Sequence, residues 1–295
     1  MDPNDQSYWQ DITVVIVVFN SSHVIAHSLK SVEHAAEVIL VDNASTDRTV
    51  EIARETLPTV RVIQNPINMG YGTANNIGFE AVTTRYGMIL NPDAIIMGDA
   101  LKIVRDRLEG DTGCAVAAPI LQSPEGVPEL YVMGFNEHYH HNLDRMPDGP
   151  FCTGFVMGAA MLWRMDVWRA LGGFDEAIFL YGEDADLSLR ATRAGFSIVV
   201  EPDAVVKHLG GQSEKPSKEQ QWRRHWHMTW GGLYFSAKWA SASAARQDAW
   251  RMVRKHGAKA LFYVLVLRFN RAYTNYARAD AAWTFLKGRP SWRGR

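Results

Sequence analysis

The sequence predicts an α/β fold with a mostly parallel central sheet and a C-terminal helical appendage. Three observations predict it. Short β-branched runs alternate with stretches of helical length over residues 12–118. Those runs end in polar clusters, where an open parallel sheet holds its ligands. From residue 214 onward the charge and the aromatic content both change. With 295 residues and 47% hydrophobic content, the chain suits one large domain plus an appendage.

The first run, Ile12 to Phe19, is continuous and β-branched, as in a strand buried on both faces. Ser21 or Ser22 caps a helix reaching about Val32. Glu37 to Val41 is the second strand and ends in Asp42-Asn43. Thr46 to Thr56 reads as a helix, Val60 to Gln64 as a strand and Tyr71 to Thr84 as a helix. Tyr86 to Leu90 is the fourth strand and stops at Asn91-Pro92-Asp93. A helix over Asp99 to Leu108 and a strand over Cys114 to Ala118 complete the alternation. Such β-α repeats imply parallel strands joined by right-handed crossovers. Leu121 to Pro150 reads as a long loop that can hold a short hairpin. Its His138, His140 and His141 are irregularly spaced, which argues against a metal cage there. Gly158 to Arg164 then predicts a strand and Met165 to Ala170 a short helix. Ser197 to Val200 predicts a further strand, ended by Pro202, with a short extended segment from Val205 to His208.

Two sites are excluded by pattern. No G-x-G-x-x-G follows the first strand, and no G-x-x-x-x-G-K-[ST] occurs, so a Rossmann dinucleotide site and a P-loop are poor readings. The two cysteines, Cys114 and Cys152, have no metal or redox spacing and fit a reducing compartment. Residues 1–11 are polar and acidic, unlike a secretory leader.

One stretch concentrates the chemistry. An aromatic run, Phe179-Leu180-Tyr181, is broken by Gly182, and three acids follow: Glu183, Asp184 and Asp186. A helical segment continues to Gly195. Acids in a first helical turn complement the helix dipole, which alone is a sufficient structural reason for them. An ionised carboxylate beside an apolar wall is also the raw material of a general base.

The charge is divided along the chain. Residues 214–295 hold 17 Lys and Arg against 4 Asp and Glu, whereas residues 1–213 hold 14 against 28. Trp222, Trp226 and Trp230 recur every fourth residue and share one helical face, and residues 244–271 also read as helical. Basic helices with an aromatic face suit an anionic membrane surface. The same face would serve equally for docking within the protein. No nucleic-acid-binding motif accompanies the basic residues, so a nucleic-acid partner is disfavoured. Ala260 to Leu267, the longest apolar run in this part, is too short to span a bilayer.

Taken in order, VVIVVFNSS, VILVDNASTD, NPINMGYGTANNIGF, ILNPDA, GGFDEAIFLYGEDADLSLRATRAGF and HLGGQS resemble the family-2 glycosyltransferases, and more narrowly their rhamnosyltransferase-like branch. The resemblance covers about residues 12–213. It implies the nucleotide-sugar-binding fold called GT-A over residues 1–213, with residues 214–295 as the appendage. It further implies an inverting glycosyltransferase that moves a sugar from a nucleotide donor, dTDP-L-rhamnose in this branch, to a glycan or lipid-linked acceptor at the cytoplasmic membrane face.

By this resemblance Asp42 accepts from the pyrimidine N3–H of the donor, with Phe19 and Asn20 alongside. Gly70 lies in a close-approach loop, and Asn75 or Asn76 reaches the nucleotide. Asn91 and Asp93 stand where many relatives carry Asp-x-Asp. Asp93 is expected to hold Mg²⁺ or Mn²⁺ with His208 as a further ligand, and Asn91 offers a neutral oxygen. Trp163 is expected to line the sugar site. Asp184 is the expected general base, with Glu183 and Asp186 supporting it, Asp186 through Arg190 four positions on. Phe179 to Tyr181 would form the wall beside it. The alternatives are a sugar-nucleotidyl pyrophosphorylase, whose Gly-rich, Arg-bearing loop is missing after the first strand, and a non-catalytic binding protein of the same fold.

Overall fold

The computed structural model describes residues 7–129, 131–132, 140–141, 147–209 and 217–291. They fall into two compact units, one of residues 7–69, 73–174 and 184–209, the other of residues 70–72, 175–183 and 217–291.

The first unit is built on a mixed sheet. All seven residues of β1 (Ile12–Val18) are buried, as the sequence ITVVIVV demands. It pairs in parallel with β2 (Glu37–Asp42), and β2 with β3 (Arg61–Gln64). Helices α1 (Ile25–Lys30) and α2 (Thr49–Thr56) make the crossovers. After α3 (Tyr71–Glu80), β4 (Tyr86–Leu90) joins the other side of β1, again in parallel. Next come β5 (Ala94–Ile96), α4 (Ala100–Gly110) and β6 (Cys114–Gln122). Leu101, Val104 and Leu108 of α4 are buried at helical spacing, so one face of that helix joins the core. β7 (Pro128–Glu129) pairs with β6, while β8 (Tyr131–Val132) and β9 (His140–His141) form a separate short hairpin. β10 (Phe151–Cys152), β11 (Ala160–Arg164), α5 (Met165–Leu171), α6 (Glu183–Arg193) and β12 (Ser197–His208) complete the unit. The sheet order is β10-β12-β6-β11-β4-β1-β2-β3.

Two features differ from the sequence expectation. β11 runs antiparallel between β4 and β6, so the sheet is not a simple succession of crossovers. Pro202 does not end the last strand. β12 passes through it with a register shift between Glu201 and Val205, and an irregularity of this kind lets a strand carry a proline. The expected segments Ser197–Val200 and Val205–His208 are therefore one strand.

The second unit is helical. It contains α7 (Lys218–Trp239), α8 (Ala242–Leu265) and α9 (Phe269–Leu286). Ser217 and Ser241 cap α7 and α8, accepting from the N–H groups of Gln220 and Ala244. α8 and α9 run antiparallel: Arg246 donates to the Leu286 carbonyl at one end, and His256 meets Asn275 at 2.8 Å midway. The helix expected over residues 244–271 is thus two, broken at Val266–Arg268. Leu267 there has φ 55°, the left-handed conformation that usually falls to glycine. Trp226 and Trp230 are buried against Ala277 and Ala281 of α9, and the Trp226 indole N–H donates to Asp280 at 2.8 Å. The tryptophan face proposed for a membrane therefore has an internal partner. The small alanines admit the large rings, which is what fixes this packing. Among the described residues, no helix is long and apolar enough to cross a membrane.

The segment 175–183 clusters with these helices. Lys238 and Tyr234 both donate to Asp175 Oδ2, at 2.7 and 3.0 Å. A side chain at Gly231 would meet the Tyr181 carbonyl at 2.2 Å, so only glycine admits this approach. His138 and residues 210–213 lie outside the described residues.

Candidate active site

The carboxyl ends of β1, β2 and β4 carry the turns that the sequence singled out. The turns after β1 and β2 are joined to each other. Asn20 has φ 54°, and its side-chain oxygen accepts from the Thr46 N–H at 2.8 Å, while its own N–H donates to Ser45 at 2.9 Å. Asp42 is buried; its carboxylate accepts from the Ser45 N–H at 2.9 Å and from Gln64 at 3.3 Å. Phe19 is half-buried beside this turn. Asn43, which the sequence marked at the strand end without giving it a role, organises the next loop. Its carbonyl oxygen accepts from Asn65 and from the Met69 N–H, and its amide donates to Asn68. Its place straight after a strand-end aspartate was the available signal.

Asn91-Pro92-Asp93 forms a tight turn between β4 and β5. The Asn91 N–H donates to the Ala159 carbonyl at 2.9 Å, and the Asn91 carbonyl accepts from Ala94 at 3.1 Å. Asp93 is buried, and β5 pairs antiparallel with β12, setting His208 opposite Ala94. His208 Nε2 consequently lies 3.6 Å from Asp93 Oδ1, and its Nδ1 lies 3.1 Å from Glu129 Oε2. Two residues 115 positions apart are thereby neighbours, and Glu129 is an addition that no motif announced. Asp93 and His208 form a mixed oxygen and nitrogen donor set, which fits a hard or borderline divalent cation. Among the described residues no group of three or more His, Cys, Asp or Glu is arranged as a complete cage.

The three acids of the opening turn of α6 have separate surroundings. Asp184 Oδ2 accepts from the Gly158 N–H at 3.2 Å and Oδ1 from the Ala185 N–H at 2.9 Å. Burial pushes its carboxyl pKa upward, against the opposing pull of these backbone donors. Gly158 is followed by Ala159, whose carbonyl holds the Asn91 turn. The Asp184 carboxylate and the Asn91-Pro92-Asp93 turn are thus fastened to adjacent residues of one strand-entry segment. Asp186 is fully buried and paired with Arg190 at 2.9 Å. The Arg190 guanidinium also donates to the carbonyls of Leu171 and Gly173 at 2.7 and 2.5 Å. Asp186 therefore anchors a clamp on the preceding turn. Glu183 is buried at the first position of α6.

Other expected site residues lie elsewhere. Trp163 is fully buried, packed edge-on against Trp168 at 5.3 Å. Because β11 is antiparallel to β4, Ala160 sits opposite Leu90 at the site end and Trp163 opposite Gly87, toward the other end. Trp163 is a core residue, not a lining of the sugar site. The Asn76 side chain is tied to the turn after α5: its oxygen accepts from the Phe174 N–H at 2.8 Å and its NH₂ donates to the Phe174 carbonyl at 2.9 Å. Asn75, its neighbour on α3, is fully buried. Gly70 belongs to the helical unit, where a side chain would strike the Phe179 carbonyl at 2.4 Å. In that unit Phe179 stacks on His227 at 4.9 Å. His227 is held neutral by burial, its pKa lowered to about 3.

Comparison with known proteins identifies the family. Residues 13–170 match "Glycosyl transferase family 2", and residues 121–286 match "Glycosyl transferase family group 2". The N-acetylglucosaminyl-diphospho-decaprenol L-rhamnosyltransferase of Mycobacterium tuberculosis is 26% identical over 231 residues, covering 67% of this chain and 75% of the relative. The O-antigen chain rhamnosyltransferase WbaN of Salmonella anatum is 26% identical over 202 residues, covering 66% and 62%. A Pyrobaculum calidifontis mannosyltransferase, solved with GDP-Man and Mn²⁺, shares the fold with a TM-score of 0.58 at 15% identity, over 92% of this chain and 87% of that one. The chain, with its GT-A sheet and strand-end turns, belongs to glycosyltransferase family 2.

Proposed function

We propose that the protein is an inverting glycosyltransferase of the rhamnosyltransferase-like branch, moving L-rhamnose from dTDP-L-rhamnose to a lipid-linked or glycan acceptor at the cytoplasmic membrane face. The names of the relatives support the sugar and the kind of acceptor. One observation carries the catalytic assignment: a half-buried Asp184 carboxylate, fastened by the Gly158 N–H next to the residue whose carbonyl holds the Asn91-Pro92-Asp93 turn.

In this reading Asp42 accepts from the base of the donor nucleotide, and Phe19 and Asn20 flank it. Asp93 and His208 are the residues that would hold Mg²⁺ or Mn²⁺. When bound, such a cation neutralises charge that builds on the departing diphosphate. Asp184 takes the proton of the acceptor hydroxyl as that oxygen attacks the anomeric carbon from the face opposite the leaving group. A single displacement of this kind inverts the anomeric centre. Its raised pKa improves Asp184 as a base, because a carboxylate at the usual value holds a proton too weakly at neutral pH. Arg190 and Asp186 act through position.

Asp184→Asn is expected to lower turnover by about 10²- to 10⁴-fold with nucleotide binding retained. Turnover within a few-fold of wild type would remove Asp184 from the role. Isothermal titration with dTDP-, UDP- and GDP-sugars in Mg²⁺ or Mn²⁺, followed by product stereochemistry, tests the donor and the inversion. Tightest binding of a UDP- or GDP-sugar would refute the dTDP-rhamnose assignment.

A further inference from the structure

The turn between α8 and α9 presents the molecule's most exposed apolar side chains among the described residues. Leu265 and Leu267 are each 73% exposed, and Leu261, Phe262 and Phe269 are exposed beside them. Isolated exposed leucines need no explanation, but a contiguous group at one end of a helical hairpin does. The turn is also built at a local cost. A left-handed, β-carbon-bearing Leu267 occupies the apex, where glycine would be the relaxed choice.

The surrounding charge has one sign. Residues 249–279 contain seven Lys and Arg and no Asp or Glu. Among the described residues, Lys255, Lys259, Arg268 and Arg271 take part in no ion pair. At the helical rise, Lys259 lies roughly 9 Å and Lys255 roughly 15 Å behind Leu265 along α8. An interfacial segment enters a bilayer by roughly 5–10 Å, so these cations fall at the level of the headgroups. An open cleft of about 500 Å³ adjoins the apex, lined by Lys218, Leu267, Arg268, Phe269, Asn270 and Arg271. Three of its six lining residues are cations, and two are apolar. That combination matches a phosphate with acyl chains beneath it.

We propose that the α8–α9 turn seats the protein on an anionic phospholipid bilayer. Leu265, Leu267 and Phe269 enter the acyl boundary, and Lys255, Lys259, Arg268 and Arg271 meet lipid phosphates. A second copy of the chain fits less well, because it would set two predominantly basic surfaces against each other. A nucleic acid would want stacking rings where this apex offers aliphatic leucines. The contact is separate from the tryptophan face, which α9 already covers, and does not depend on which sugar is transferred.

The test is co-sedimentation of the full chain with phosphatidylcholine vesicles, with and without phosphatidylglycerol, at low and high salt. Wild type should sediment with the anionic vesicles, and less so as salt rises. Each cation removed should weaken partitioning by roughly fivefold, so K255E/K259E should lose at least roughly 25-fold, and K255R/K259R should retain binding. L265E/L267E should lose roughly tenfold or more, even on anionic vesicles. Both sites are exposed, and circular dichroism together with nucleotide binding verifies the fold of each variant. The proposal falls if wild type ignores anionic vesicles, or if L265E/L267E binds them as wild type does. It also falls if L265E/L267E converts a wild-type dimer to monomer, by light scattering, with vesicle binding unchanged, since the apex would then be a subunit contact.

Discussion

The sheet unit and the helical unit dispose of their apolar and charged residues in opposite ways. In the sheet unit, β1 and most of β6 are buried, and the carboxylates at the strand ends are held by neighbours. In the helical unit the interior is narrow, an aromatic stripe against alanines, and the far end of α8 and α9 leaves leucines in solvent. Buried polar groups with partners make a rigid frame for chemistry. An uncovered apolar end flanked by unpaired cations makes a surface for contact. The two units therefore should respond differently to mutation, and the following experiments sharpen or break that contrast.

The largest stability effect is expected in the sheet unit. Arg190→Ala leaves Asp186 buried without its partner and frees the turn at Leu171 and Gly173, for a loss of about 3–5 kcal/mol in urea unfolding. A change below about 1 kcal/mol would mean that the pair is not structural.

In the helical unit the comparable test is pH. His227 has its folded pKa depressed to about 3, so its neutral form is what the fold accepts. The unfolded chain takes up a proton near the ordinary histidine value and the folded chain does not. Stability is therefore full above about pH 6.5 and falls as pH drops toward 3, by about 2 kcal/mol at pH 5. His227→Gln should lose about that much less than wild type between pH 7.5 and pH 5 in thermal unfolding. Equal losses would show that His227 is solvated in the folded chain.

The smallest effect should have the opposite sign. Leu267→Gly relieves the left-handed backbone at the apex and should raise stability by about 1 kcal/mol while weakening vesicle binding. Asp184→Asn should show the same opposition in the sheet unit. Burial raises the Asp184 pKa, so its contribution to stability is complete below the unfolded carboxyl value and is lost as pH rises through the folded one. The asparagine variant should consequently be the more stable protein at neutral pH, with the difference gone below about pH 4. Destabilisation by Asp184→Asn at pH 7.5 would contradict the desolvation of that carboxylate.

Much of the sheet was legible in the sequence because burial on both faces leaves a plain record, as in Ile12–Val18. The strand-end turns were legible for the same reason, since a polar pair after such a run has few other places to be. What sequence could not give was relative direction and rotation. Placing Trp163 required knowing that β11 is antiparallel, which puts Ala160 rather than Trp163 at the site end. Choosing between Asn75 and Asn76 required the rotation of α3, since neighbours on a helix face different ways. Glu129 came near His208 only through the pairing of β7 with β6, in a loop without periodicity. The break at Leu267 carried no glycine or proline to announce it.

The pairing of β5 with β12 also has a consequence for how the protein is made. β1 to β4 pair among themselves, so that half of the sheet can assemble as soon as residue 90 is available. Asp93 follows at once, yet His208 and the strand that brings it are synthesised roughly 115 residues later, on the order of ten seconds at typical elongation rates. During that interval the emerging chain has the joined turns after β1 and β2 but not the pairing of Asp93 with His208. The last strand of the sheet is therefore the step that completes the proposed site, and truncation anywhere before residue 208 should yield a chain without that pairing.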